Sequence, residues 1–478
     1  MKPLLASLAI LLSGASLAAS ADPAPLRAGA ATSNITPELG KDIIGGFQPF
    51  PATHVHDELL ARCLVLDDGK TKLALVVCDL LGLHRSVSVE ARRLIQKEAG
   101  IPPENVLISA THTHSAASAL GENVYKSEVP LSDYERFVAR RIADGVRRAL
   151  NLARPAQIAF ATAEAAEHLF NRRWLMREGT VPVNPFGKTD KVKMNPPVGS
   201  PDLVEPAGPI DPTVSIIALR EPEGRLISVF SAYSLHYVGG VGGGHISSDY
   251  YGLFCEALKG LQDGSDEDPP FVAMMANGTS GDINNVNFRT PGPRKAPYEQ
   301  MRHVAEDVAR KVNAALAEAA WKDGAELQAL YREPPIALRR IDAELLAWAK
   351  ETESKAPGSP GADVVAVSYA GRIRRLAEAP ATVLTPLQVL RIGDIAIGTT
   401  PCETFAEIGL EFKRRSPIPH SFMVELNHGY LGYLPSPRHF ELGGYETWPG
   451  TNYLEPQASV KMLDALVEMA TQLAPESR

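Results

Sequence analysis

The sequence predicts an α/β protein with mixed β-sheets flanked by helices, and three observations carry that prediction. Short apolar, β-branched runs recur along the chain, helical patterns lie between several of them, and the composition is that of an ordinary globular protein. The 478 residues are 45% hydrophobic and 22% charged, with 38 Gly and 38 Pro, which excludes a disordered chain, a coiled coil and a collagen-like repeat. No internal repeat is visible. A formal net charge of −8 leaves no basic footprint for nucleic acid or anionic lipid, so no nucleic-acid partner is expected.

In chain order the strand candidates are Leu59–Leu66, Lys72–Cys78, Asn105–Ala110, Gln157–Thr162, Val214–Leu219, Leu226–Ala232, Phe271–Ala276, Leu387–Ile392, Asp394–Thr399 and Ser421–Leu426. The first two flank Asp67-Asp68-Gly69-Lys70, a hairpin turn. Pairing Leu66 with Thr71 there puts Cys63 opposite Ala74, out of register with Cys78. Cys63, Cys78, Cys255 and Cys402 are too few and too scattered for a disulfide scaffold and read as free core thiols. The clearest helix starts at Ser132-x-x-Glu135, a capping box, and carries Val138, Ile142, Val146 and Ala149 on one face. Another has Pro297 near its first turn, then Val304, Val308, Val312 and Leu316.

The N-terminus reads as an export signal over residues 1–21. Met1-Lys2 is a positive start, Leu4 to Leu12 is almost wholly apolar, and Ala19-Ser20-Ala21 fits an A-x-A cleavage site. The apolar run is shorter than the roughly 20 residues that span a bilayer, as is every later one. No transmembrane segment is expected, and the predicted location is the periplasm or the exterior. Residues Val181 to Pro212 hold eight prolines without periodicity, a long loop of the kind that often serves as a lid or binding loop. Ser354 to Ala362 is a Pro/Gly/Ser stretch that resembles a linker.

Chemistry concentrates at the ends of the strand candidates. Thr111-His112-Thr113-His114-Ser115 follows Asn105–Ala110, and in an extended segment residues i and i+2 project to one side. Paired imidazoles of this kind bind one metal jointly, or bind it once and leave a proton carrier beside it. His236 closes the strand Leu226–Ala232, ahead of the glycine-rich run Gly239 to Gly244 and His245-Ile246-Ser247-Ser248-Asp249. Those glycines lack the Lys-Ser/Thr of a phosphate-binding loop. Asn277-Gly278-Thr279-Ser280-Gly281-Asp282-Ile283-Asn284 follows Phe271–Ala276 and falls one residue short of a nucleophile elbow. Pro401-Cys402-Glu403 and Asn427-His428-Gly429-Tyr430-Leu431-Gly432-Tyr433 follow the last strands. His112, His236, Glu403, Tyr433 and Asp282 are thus all delivered by strand ends, as α/β enzymes gather polar groups. His56-Asp57 reads either as a structural pair or as a support behind the site.

Taken together these fragments, from about Arg27 to about Leu473, resemble the neutral (alkaline, non-lysosomal) ceramidase family of zinc amidases. The resemblance implies Zn²⁺ held by His112, His236, Glu403 and Tyr433. His114 falls on a catalytic-site histidine, Asn171-Arg172 makes Arg172 the substrate-polarising arginine, and Tyr445, twelve residues after Tyr433, is the active-site phenol. Asp282 and Asn284 fall on the family's Gly-Asp-x-Ser-Pro-Asn, with Asn284 in place of the serine. The family also carries a C-terminal immunoglobulin-like domain, whereas the residues after Tyr433 here look helical. The expected organisation is a leader over 1–21 and one zinc-hydrolase domain over 22–478, because the implied ligands lie on both sides of Ser354–Ala362.

What the resemblance implies chemically is a zinc-activated water cleaving the amide bond of a ceramide-like or other N-acyl substrate, a role in sphingolipid metabolism included. Asn284 donates a hydrogen bond but is no acylated nucleophile, so a water-attack route survives the change. Two alternatives stand: the same chemistry on an ester, lactone or sugar-derived substrate, and an inactive secreted binding protein on the same scaffold.

Overall fold

All ten predicted strands form, with ends displaced by at most two residues. The structure is a computed structural model describing residues 25–262, 267–356, 358–359 and 361–475; the leader at 1–21 lies outside the described residues. Two strands of more than four residues were not foreseen, Arg27–Asn34 and Leu327–Arg332. The first is RAGAATSN, small residues of weak strand propensity. Its use is close packing: a Cβ on Gly29 would stand 2.1 Å from the carbonyl oxygen of Ala149 in the helix Asp133–Asn151.

Those two strands complete a repeat that the sequence hides. Three times the chain runs strand, strand, strand, helix, strand, helix. The first unit is Arg27–Asn34, Leu60–Asp67, Lys72–Cys78, helix Arg85–Ala99, Val106–Ala110, helix Asp133–Asn151. The second is Gln157–Glu164, Thr213–Arg220, Leu226–Tyr233, helix Asp249–Gly260, Val272–Asn277, helix Glu299–Ala317. The third is Leu327–Arg332, Leu387–Ile392, Ile395–Thr399, helix Ala406–Arg415, His420–Val424, helix Ala458–Leu473. In each unit the first three strands pair antiparallel in sequence order, and the fourth joins the third in parallel after the helical crossover.

The inner faces of the three sheets share one core, with Leu64, Leu75 and Leu107 from the first, Ile217, Phe230 and Met274 from the second, and Leu390, Ile397 and Phe422 from the third. Helices seal the outer faces through Val87 and Ile142, Phe254 and Val308, and Phe412 and Leu466. Each such side chain contributes roughly 1.5–3 kcal/mol on burial. Among the described residues no helix is long and apolar enough to cross a membrane.

One local expectation is corrected. The first hairpin pairs Asp67 with Lys72 and sets Cys63 opposite Val76, not Ala74. The cause is the turn: Asp68 Oδ1 accepts the N–H groups of Lys70 and Thr71 at 2.9 and 2.7 Å, which keeps Thr71 out of the ladder. All four cysteines are buried and free. The capping box at Ser132 and Glu135 forms, and the second helix starts at Glu299 with Pro297 just ahead of its N-cap, Tyr298.

Because the third and fourth strands of a unit are parallel, both end on the same edge of their sheet. The long connections between the first and second strands, residues 35–59, 165–212 and 333–386, lie at the rim of one cavity. That cavity is about 760 Å³ and takes Gly45 and Phe47 from the first connection, Arg172 and Lys193 from the second, and Arg372 from the third. Residues 355–363 separate the helices Ala343–Ser354 and Val364–Ala377 of the third connection.

Candidate metal centre

His112, His114, His236, Glu403, Tyr433, Tyr445 and Arg172 all line this cavity. The two histidines of the His-x-His motif meet, but not by strand alternation. The strand ends at Ala110, and His112 adopts φ +74°, a left-handed conformation that costs on the order of 1–3 kcal/mol in a non-glycine residue. It is held there by its N–H, which donates to Leu80 O at 2.9 Å.

Ring tautomers follow from the partners. His112 Nδ1 lies 2.7 Å from Leu81 O and His114 Nδ1 lies 2.7 Å from Gly45 O. A carbonyl only accepts, so each Nδ1 donates and each Nε2 carries a bare lone pair. His236 Nδ1 lies 3.2 Å from Ser280 Oγ, whose hydroxyl donates to Glu425 Oε1 at 2.7 Å and so offers its oxygen to the ring N–H.

The bare acceptors face one another. His112 Nε2 stands 3.2 Å from both His114 Nε2 and Glu403 Oε2, and His236 Nε2 stands 3.7 Å from the same Glu403 oxygen. His236 Nε2 and Glu403 Oε2 are buried without any hydrogen-bond partner among the described residues. Acceptors converging with no proton between them repel, and a cation removes the repulsion. Two imidazoles and a carboxylate are the donor set of a catalytic zinc site. His114 sits outward of this group: its ring centroid is 5.9 Å from that of His236, against 4.5 Å for His112, and it stacks on Tyr237 at 3.7 Å.

Electrostatics suit ligation. Burial pushes Glu403 up, but the positive charge that His112 carries when protonated and the phenols of Tyr430 and Tyr433 outweigh it and hold the carboxyl at about 2; a bound cation takes the place of that proton. Burial and the neighbouring His112 hold His114 at about 3, and burial with nearby Arg172 holds His236 well below the usual range. In the unfolded chain these imidazoles ionise near 6.5, so the unfolded state takes up protons that the folded state refuses. Their stability contribution is full above about pH 6.5 and is lost as pH falls toward 3. Denaturant titrations of the metal-free protein are expected to show unfolding free energy declining as soon as pH drops below about 6.5; a flat profile down to pH 5 would contradict it.

The remaining groups form a donor wall. Tyr430 donates to Glu403 Oε1 at 2.6 Å. Tyr433 pairs by backbone with Glu403, and its ring centroid lies 5.3 Å from the Arg172 guanidinium carbon. Arg172 Nε donates to Glu446 Oε1 at 2.9 Å, while its buried Nη2 has no partner among the described residues. Burial lifts Tyr445 to about 12, which keeps it a phenol. Its ring stands 5.8 Å from that of Tyr433.

Asp282 and Asn284 stand behind the wall. Asp282 is fully buried, accepting from Ala406 N–H at 2.9 Å and from Asn171 Nδ2 at 2.7 Å, and so anchors the residue before Arg172. Asn284 donates to Asn195, which does line the cavity, at 3.1 Å. Asp57 binds Ser247 and Ser248 as a structural brace. Sequence reading missed Tyr237, Ser280, Glu425 and Glu446. Ser280 was visible in its polar turn, and Gly281 beside it packs so closely that a Cβ would come within 2.4 Å of Glu403 O.

Ser280→Ala is expected to weaken metal affinity about 10–100-fold, the usual cost of losing a group that orients a ligand histidine. Competition against a chelator measures it, and an unchanged affinity would contradict the role.

A family model described as neutral/alkaline non-lysosomal ceramidase, N-terminal, matches residues 27–315. The neutral ceramidase of Pseudomonas aeruginosa is 23% identical over 310 residues, a match spanning 62% of this chain and 43% of that protein's length. Two solved structures share the fold at 19% identity, each covering 95% of this chain and 75% of the other: a ceramidase complexed with C2, TM-score 0.69, and the neutral ceramidase from Pseudomonas aeruginosa, TM-score 0.67. With its family model matched over more than half its residues, the chain belongs to the neutral/alkaline non-lysosomal ceramidase family.

Proposed function

We propose that the protein is an exported zinc-dependent hydrolase that cleaves the amide bond of an N-acyl substrate, of which ceramide is one candidate. The observation that supports this most is the convergence of His112, His236 and Glu403 as bare acceptors in one buried wall. These three residues, with Tyr433 beside Glu403, would hold the ion, which would supply a Lewis acid for an acyl carbonyl and a water with its pKa lowered to about 7.

The chain's own groups do the rest. Arg172, through its unpartnered Nη2, and Tyr445 donate to the carbonyl oxygen as negative charge gathers on it, at roughly 3 kcal/mol per donor. His114 moves a proton to the leaving nitrogen, its Nδ1 tied to Gly45 O and its ring held by Tyr237. Ile44, Phe47, Leu81, Leu120 and Val124 give one side of the cavity an apolar face for an acyl chain. Residues 22–478 act as one catalytic unit after loss of the leader.

Mass spectrometry of purified residues 22–478 is expected to find about one zinc per chain, with turnover in a panel of N-acyl amides and matched esters that stops on chelation and returns with zinc. Turnover of esters alone would move the reading to an esterase. No metal after reconstitution, and no turnover, would leave a binding protein.

A further inference from the structure

The third connection supplies the cavity with cations that no carboxylate among the described residues neutralises. Arg372 and Arg375 lie three residues apart on the helix Val364–Ala377, hence on one face, and both line the cavity. Arg372 is half-buried. Its guanidinium carbon lies 5.5 Å from the Phe47 ring centroid and 5.3 Å from that of Tyr369, and its one hydrogen bond is a long one, 3.4 Å from Nη1 to Gly450 O. Neither Arg372 nor Arg375 meets a carboxylate among the described residues, whereas Arg374 between them pairs with Glu353 at 3.0 Å. Of the acidic residues in the same wall, Asp190 accepts from Trp448 Nε1 at 2.8 Å, Glu403 belongs to the metal cluster, and Glu122 is exposed and pairs with neither arginine.

A guanidinium set between aromatic rings has lost part of its hydration, and leaving it without a counter-ion is costly. It also has most of its five donors free in a planar fork that matches an oxyanion. The site is part of the reaction cavity, which Arg372, Arg375, Tyr445 and Glu403 all line.

We propose that Arg372 and Arg375 form an oxyanion subsite, so that the substrate is an N-acyl compound bearing a carboxylate or phosphate away from the scissile bond. This rests on the amide-cleaving reading above and narrows it. A neutral acylated amino alcohol leaves both guanidinium forks unmatched and is the poorer substrate.

The test uses the zinc-loaded chain and three dodecylsulfonamides, which resist hydrolysis and end in a carboxylate, a phosphate or a hydroxyl. Calorimetry is expected to find the carboxylate or the phosphate compound bound about tenfold or more tighter than the hydroxyl compound, as one or two charge-assisted hydrogen bonds supply. Which anion binds tighter identifies the terminus. In Arg372→Gln/Arg375→Gln the ratio collapses toward one. In Arg375→Gln, at an exposed position that does not threaten folding, it falls part of the way, and Arg→Lys at both positions restores part of it. Equal binding of all three compounds, binding of none, or a variant that weakens all three alike overturns the proposal. Hydrolysis of the matching N-dodecanoyl compounds reads the amide chemistry separately. Cleavage without anion preference removes only the subsite, and anion preference without cleavage removes only the hydrolase.

Discussion

Glu403→Ala is expected to take the zinc content of the purified protein from about one ion per chain to near none, and turnover with it. The carboxylate is the one charged group of the cluster and the one that stands close to both ligand imidazoles, 3.2 Å from His112 Nε2 and 3.7 Å from His236 Nε2. Its removal leaves two imidazoles and the weakly donating phenol of Tyr433, without a charged ligand among them. His112→Ala is expected to do the same. His114→Ala separates the roles, because His114 stands outward of the cluster: zinc stays stoichiometric while the rate falls about 10²–10⁴-fold, the usual share of a general acid–base group. Elemental analysis after dialysis checks each variant. Stoichiometric zinc in Glu403→Ala would overturn the ligand assignment, and loss of zinc in His114→Ala would make that histidine a ligand.

Glu446→Ala is expected to cost about 3–5 kcal/mol of folding stability, the price of leaving buried charges without their partner. Glu446 is fully buried and accepts from Arg172 Nε at 2.9 Å and from Arg173 Nη1 at 2.5 Å, and Arg173 is itself fully buried. Burial pushes the Glu446 carboxyl up, but the two guanidinium groups hold it below the ordinary range. Without it two guanidinium groups share a dry pocket, and Arg172 loses the contact that aims Nη2 into the cavity. The rate on any good substrate should fall about 10²–10³-fold, as for a lost oxyanion donor, while zinc content stays near one per chain. Denaturant midpoints and elemental analysis together tell this variant from a ligand variant. A stability loss below about 1 kcal/mol would mean that the site rehydrates and that the pair is not buried in solution.

Sequence patterns carried the local structure a long way, and the reasons are specific. The strands were legible because nine of the ten pack both faces, one on the shared core and one under helices, which makes them continuous apolar runs. Arg27–Asn34 was not, since its alanines and Gly29 are chosen for close approach to Ala149 rather than for strand propensity. The register of the first hairpin turned on where one aspartate side chain sends its hydrogen bonds, which no pattern of apolar residues records.

The candidate site divides in the same way. His112, His114, His236 and Glu403 were legible because polar residues at strand ends stand out against apolar strands, and the family resemblance ordered them. Ser280, Glu425 and Glu446 were not, because their meaning lies in partners far along the chain: Glu446 meets Arg172 across 274 residues and Glu425 meets Ser280 across 145. The sequence by itself determined ten of the longer strands and two of the helices, that the cysteines are free core thiols, and which residues are the candidates for metal-binding chemistry. Only the tertiary structure decided that three units of one topology surround a common core, because topology is a matter of pairing order and that order leaves no repeated letters. It alone set the ring tautomers and the two unmatched arginines, since a proton's position and a missing counter-ion both depend on what the fold brings within about 4 Å.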